Sequence, residues 1–272
     1  PSRCRVYWTA SMVMNNDLNY RQWATNNGVT QPRTALNYWI NLTNGERTAA
    51  APMMQGIPAS VALTGVPALS VNLLFSRLLG GGLYLVDALA NSAYPDIVFN
   101  LDGEPLPFNE DWLRRVVPHE LTHAAHYASS GGGEVYWRPY RTHIVSNQAA
   151  VGNPYGTFPS TFAPTGNHFG HVALGEALGF FVDDLNFFNQ NLEAMIGGDF
   201  RNNFMPSGLI RDLRDIRVNT ILKPGPNTLF TDNVSGFTMG QIWNAVNASN
   251  INSIPTFRTR LQTLHLNQTN NT

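Results

Sequence analysis

Residues 116–127, Val-Val-Pro-His-Glu-Leu-Thr-His-Ala-Ala-His-Tyr, constrain this chain more than any other stretch. Within them lies His119-Glu120-x-x-His123. On a helix, residues four apart project from one face, one turn above the other. Two imidazoles held that way can grip one Zn²⁺, and the adjoining Glu120 can take a proton from a water that the metal activates. Apolar Val116, Val117, Leu121, Ala124 and Ala125 argue for a buried helix. Pro118 is tolerated best in a first turn, which predicts a helix beginning close to it.

A catalytic zinc takes three protein ligands and keeps one position open. Glu176 is the expected third. It sits among Leu174, Ala177, Leu178 and Phe180, where an unpartnered carboxylate is rare. An ion pair with an arginine is the alternative reading of the same residue. Asp183, seven residues on, shares its face, either as an acceptor for a ligand imidazole N–H or as a surface acid. His126 is the tempting rival. A rise of about 1.5 Å per residue puts it about 7.5 Å along the axis from the midpoint of His119 and His123, too far for a coordination bond of about 2 Å. No glycine in Ala124-Ala125-His126-Tyr127 turns the chain back.

His-Glu-Leu-Thr-His, followed by a segment carrying Gly-Glu-Ala-Leu-Gly-Phe-Phe, resembles the gluzincins, zinc peptidases with two His on one helix and a Glu on the next. It is most similar to secreted or lipid-anchored bacterial proteins, common in Bacteroidetes, in which a long loop separates the two helices. Tyr20-Arg21-Gln22-Trp23-Ala24 and Pro95-Asp96-Ile97-Val98 also fit that group. The resemblance implies a zincin-like α+β fold, with a small twisted sheet, an active-site helix and a mostly helical C-terminal part. It implies Zn²⁺ held by His119, His123 and Glu176, with Glu120 as general base, and a location outside the cytoplasm. The implied activity is hydrolysis of peptide bonds in a peptide or protein substrate. The chain lacks a Gly-x-Met-Glu-Asn exopeptidase motif, which favours an endopeptidase. It departs from thermolysin-like enzymes in its longer spacer and in Phe180, where those enzymes carry Asp. A non-catalytic module binding protein or glycan on the same scaffold, and a zinc hydrolase of a non-peptide substrate, are the competing expectations.

All nine tyrosines lie at or before Tyr155, so no phenol downstream of Glu176 can stabilise an oxyanion. Tyr140 is favoured for that work over Tyr136, Tyr155, His143, His168 and His171. All of these but His171 fall in a stretch, 129–168, that opens with Gly131-Gly132-Gly133 and is rich in Pro, Asn, Thr and Ser, and it reads as a loop walling the cleft.

The rest of the chain divides at this loop, giving an N-terminal α+β part, 1–128, and a C-terminal part, 129–272. Residues 9–26 read as a helix with Ala10, Val13, Met14, Leu18 and Ala24 inward and Gly28 as its stop. Leu36, Tyr38, Ile40 and Leu42 alternate as in a strand, and Asn44-Gly45 suggests a hairpin returning through Thr48–Met54. Asp96–Leu101 reads as another strand, and could hold a peptide by edge pairing, as the resemblance suggests. Helices are expected over 170–190, around Leu209–Ile216, around Ile242–Val246, and around Phe257–Leu264.

The most apolar stretch, Ile57–Ala90, is broken by Pro58, Gly65, Pro67, Arg77, Gly80-Gly81-Gly82 and Asp87, so it reads as two buried helices, 68–79 and 83–90, rather than a membrane span. A formal net charge of −1 gives no basis for binding nucleic acid or an anionic membrane. Cys4 is alone, which rules out an internal disulfide framework.

Overall fold

A computed structural model describes residues 2–42, 48–51, 96–101, 106–130, 136–151, 168–185, 210, 213–214, 220–222, 229–231, 236–248 and 250–265. The first element is helix α1, Ser2–Asn27, ended by Gly28 at φ +68°, where a side chain would be strained. Its inward face is Thr9, Val13, Asn16, Asp17, Tyr20 and Ala24; Met14 and Leu18 are exposed. Val13 and Ala24 thus face inward as expected, whereas Met14 and Leu18 do not, and hydrogen bonding explains the difference. Asp17 accepts from Arg21 and from the Tyr38 hydroxyl (3.0 Å each), so a carboxylate occupies a position that hydropathy assigns to the outside.

Three strands form one sheet: β1 (Tyr38–Leu42), β2 (Thr48–Ala50) and β3 (Ile97–Leu101). The order is β1-β3-β2, with β1 parallel and β2 antiparallel to β3. The β1–β2 hairpin expected from Asn44-Gly45 does not form, because β3 lies between the two strands. Asp96 fixes that insertion. Its carboxylate accepts from the Asn37 backbone N–H (2.7 Å) and from Arg33, pinning the start of β3 beside β1. Ile97, Val98, Phe99 and Leu101 are all buried, as in a strand covered on both faces. Both edges of β3 are occupied, so the expectation that it pairs with a peptide is also overturned; among the described strands, β2 is an outer one of this sheet.

Helix α2 spans Leu106–Ser129, so Pro118 lies in its interior rather than its first turn. A mid-helix proline costs about 3 kcal/mol through the lost N–H and ring clash. The helix nonetheless continues, buried from Val117 to His126, and the Thr122 hydroxyl donates to the Pro118 carbonyl (2.8 Å). It packs most extensively on helix α4, Phe169–Leu185, and then on α1.

Between α2 and α4 stands helix α3, Trp137–Val151, where a loop was expected. Beyond α4, β4 (Thr220–Leu222) and β5 (Leu229–Thr231) pair antiparallel in a region read as helical. Helices α5 (Met239–Val246) and α6 (Ile254–Leu264) follow as expected, each opened by a reciprocal side-chain cap, Thr238 with Gln241 and Ser253 with Thr256. The described architecture is mostly helical with a small sheet, α+β at the coarse level. Its core draws on α1, β3, α2, α4, α5 and α6 together. The expected helices at 68–79 and 83–90 lie outside the described residues. Among those described, no helix is long and apolar enough to cross a membrane.

Candidate metal centre

Helix α2 carries His119 and His123 one turn apart, and α4 brings Glu176 against them. All three are buried. Nε2 of His119 and Nε2 of His123 lie 3.1 Å apart, Glu176 Oε2 is 3.3 Å from His119 Nε2, and Glu176 Oε1 is 3.6 Å from His123 Nε2. An ion bound tetrahedrally at about 2.0–2.1 Å has ligand-to-ligand edges of about 3.3–3.4 Å. The triad matches that size, and it is the group among the described residues whose ligand atoms converge closely enough to hold a metal. A buried His-His-Glu group of this kind can bind a metal ion.

Electrostatics point the same way. Burial alone would push the Glu176 carboxyl up, but His123 and His119 outweigh it and hold the group well below the ordinary carboxylate range. The site thus favours a carboxylate facing positive charge, which bound protons or a cation can supply. Glu120, next to His119, behaves oppositely. Burial raises its pKa despite the two imidazoles, and Glu176 adds to the rise. The Ala51 backbone, just past β2, opposes that rise slightly.

Two glycines on α4 make the approach possible. A Cβ on Gly179 would lie 2.8 Å from the His119 ring, and one on Gly175 would lie 3.1 Å from Tyr140 Cε2. Each helix-interior glycine costs about 1 kcal/mol relative to alanine. In Gly-Glu-Ala-Leu-Gly that cost is a sequence signal of close approach: both glycines stand where α4 must admit a ring.

Helix α3 supplies the cover. The Tyr140 hydroxyl donates to Glu176 Oε1, and the Tyr136 hydroxyl donates to the His171 carbonyl (2.5 Å). Tyr140 and Trp137 also lean on His123, with ring centroids 6.2 and 5.7 Å away. Of the other residues considered for an oxyanion, His143, His168 and His171 do not join the converging group, and Tyr155 lies outside the described residues. The side chain of Asp183 is likewise outside them.

His126 faces away from the triad, packed on Tyr136, Trp137 and Trp243 with centroids 4.4, 5.5 and 5.9 Å distant. Burial, helped by the nearby His123 charge, lowers its pKa to about 3, against a slight opposing pull from the Val246 carbonyl; neither ring nitrogen makes a well-formed hydrogen bond. A histidine whose folded pKa is depressed stays neutral in the native state, while the unfolded chain takes up a proton below about pH 6.5. Stability contributed this way is present above the unfolded pKa and falls as the pH drops towards 3. In chelator-treated protein, lowering the pH from 7 to 5 should destabilise the wild type by about 2 kcal/mol more than His126→Leu. Urea titrations at the two pH values measure this, and an equal loss in both proteins would contradict it.

No family model, curated protein or solved structure matches the chain. The functional reading therefore rests on these residues and their geometry.

Proposed function

We propose that the protein is a zinc-dependent metallopeptidase, an endopeptidase that acts outside the cytoplasm on extended segments of peptide or protein. The observation that carries the reading is the convergence of His119 Nε2, His123 Nε2 and the Glu176 carboxylate beside Glu120. Zinc, when bound there, supplies a Lewis acid that lowers the pKa of water to about 7 and polarises a carbonyl. His119 and His123 would hold the ion from one helix and Glu176 from another. Glu120 accepts the proton of the attacking water and passes it to the leaving amine. Its burial keeps bulk water away from that exchange. β2 is the strand on which an extended peptide would align, because among the described strands it lies at the edge of the sheet and it packs against α2, the helix that carries Glu120. The nitrogen-rich donor set favours zinc over magnesium or calcium, which take oxygen ligands.

The test is metal content measured together with cleavage of an unfolded protein, before and after chelation. About one zinc per chain, with cleavage lost on chelation and restored by zinc, is expected. A zinc-loaded protein that cleaves no peptide in a diverse library would refute peptidase activity while leaving the metal site standing.

A further inference from the structure

Helix α3 docks on α4 through two phenols that straddle Gly175. Tyr136, immediately before α3, donates its hydroxyl to the His171 carbonyl, nearly one and a half turns ahead of Glu176. Tyr140, one turn further along α3, donates to Glu176 Oε1. Its ring lies so close to Gly175 that a Cβ there would stand 3.1 Å away, and it is tilted 4.7 Å from the Trp137 ring, which itself leans on His123. The phenol is held on three sides. A phenol has one proton to give, and this one is committed to the carboxylate that faces the two imidazoles.

We propose that Tyr140 is a positioning residue that holds Glu176 Oε1, so that Glu176 ligates a metal through Oε2 alone and leaves one coordination position open. The inference rests on reading His119, His123 and Glu176 as a metal site, and it does not require the substrate to be a peptide. A carboxylate with both oxygens free can swing between one-oxygen and two-oxygen binding. A hydrogen bond to one oxygen removes that freedom and lowers the ordering cost of binding the ion. Oε2 is also the oxygen 3.3 Å from His119 Nε2, which agrees with its being the ligand atom. The assignment differs from an oxyanion role for the same residue, because donation to Glu176 engages the only phenolic proton.

The experiment compares wild type with Tyr140→Phe. Zinc affinity is read by chelator competition, coordination by the visible absorption of the Co²⁺-loaded protein, and folding by the melting temperature of the metal-free protein. The expected result is a 10–100-fold weaker zinc affinity and altered Co²⁺ bands, with little change in metal-free melting. Unchanged affinity and bands would overturn the proposal, and a loss of turnover alongside them would return Tyr140 to the oxyanion role. If Tyr140→Phe melts early, 3,5-difluorotyrosine at position 140 keeps the shape and alters donor strength; shifted Co²⁺ bands support the proposal and identical bands overturn it. A wild type that binds no zinc at His119, His123 and Glu176 refutes the metal site itself, an outcome distinct from a wild type and variant that bind equally.

Discussion

Glu120→Gln should retain about one equivalent of zinc while its hydrolysis of an unfolded protein falls by at least about 10²-fold. The substitution preserves size, so neither His119 nor His123 loses its place on α2. Only the ability to accept a proton disappears. Glu120 is buried 6 % exposed, so no bulk-water base easily substitutes for it. The measurement is zinc stoichiometry and turnover on the same preparation. A zinc-replete Glu120→Gln protein that turns over like wild type would sink the general-base mechanism.

The second large effect concerns the third ligand. Glu176→Ala should lose zinc and activity together, by more than the roughly 10–100-fold that removing an outer hydrogen bond costs. His126→Ala should keep zinc near one equivalent. The contrast is informative because both residues are buried and both lie near His123 in space or sequence. Glu176 faces the two Nε2 atoms at 3.3 and 3.6 Å, whereas His126 stacks among aromatic rings. Any loss in His126→Ala should come through packing and appear in melting temperature before metal content. If His126→Ala lost zinc and Glu176→Ala kept it, the assignment of the site would be reversed.

Much of the site was legible from local pattern. His119 and His123 needed only helical geometry, and Glu176 stood out as an acid in an apolar run. The run Ile97-Val98-Phe99 announced a buried strand, and its central position followed from that burial more than the edge role assigned to it. What escaped was set by contacts distant in sequence. The Met14 and Leu18 side chains looked inward-facing because Asp17, paired with Arg21 and Tyr38, occupied their place. Helix α3 was hidden by the glycines before it, although Pro139 in its first turn and the 136–140–143 spacing of Tyr, Tyr and His signalled a helix. Pro118 suggested a start where the packing of α2 carried the helix straight through. No local pattern distinguishes a β1–β2 hairpin from one opened to admit β3; Asp96, binding Asn37 and Arg33, decides that.

One consequence of placing ligands on α2 and α4 concerns the polymer rather than the chemistry. An ion gripped by His123 and Glu176 closes a loop of about fifty residues, a chain segment that contains α3. A covalent link across that span would remove chain entropy from the unfolded state worth about 4 kcal/mol, and a metal clip acts in the same sense. The protein has a single cysteine and so no internal disulfide to do this work. The ion would be its removable crosslink, joining the two halves of the sequence only while the fold is intact.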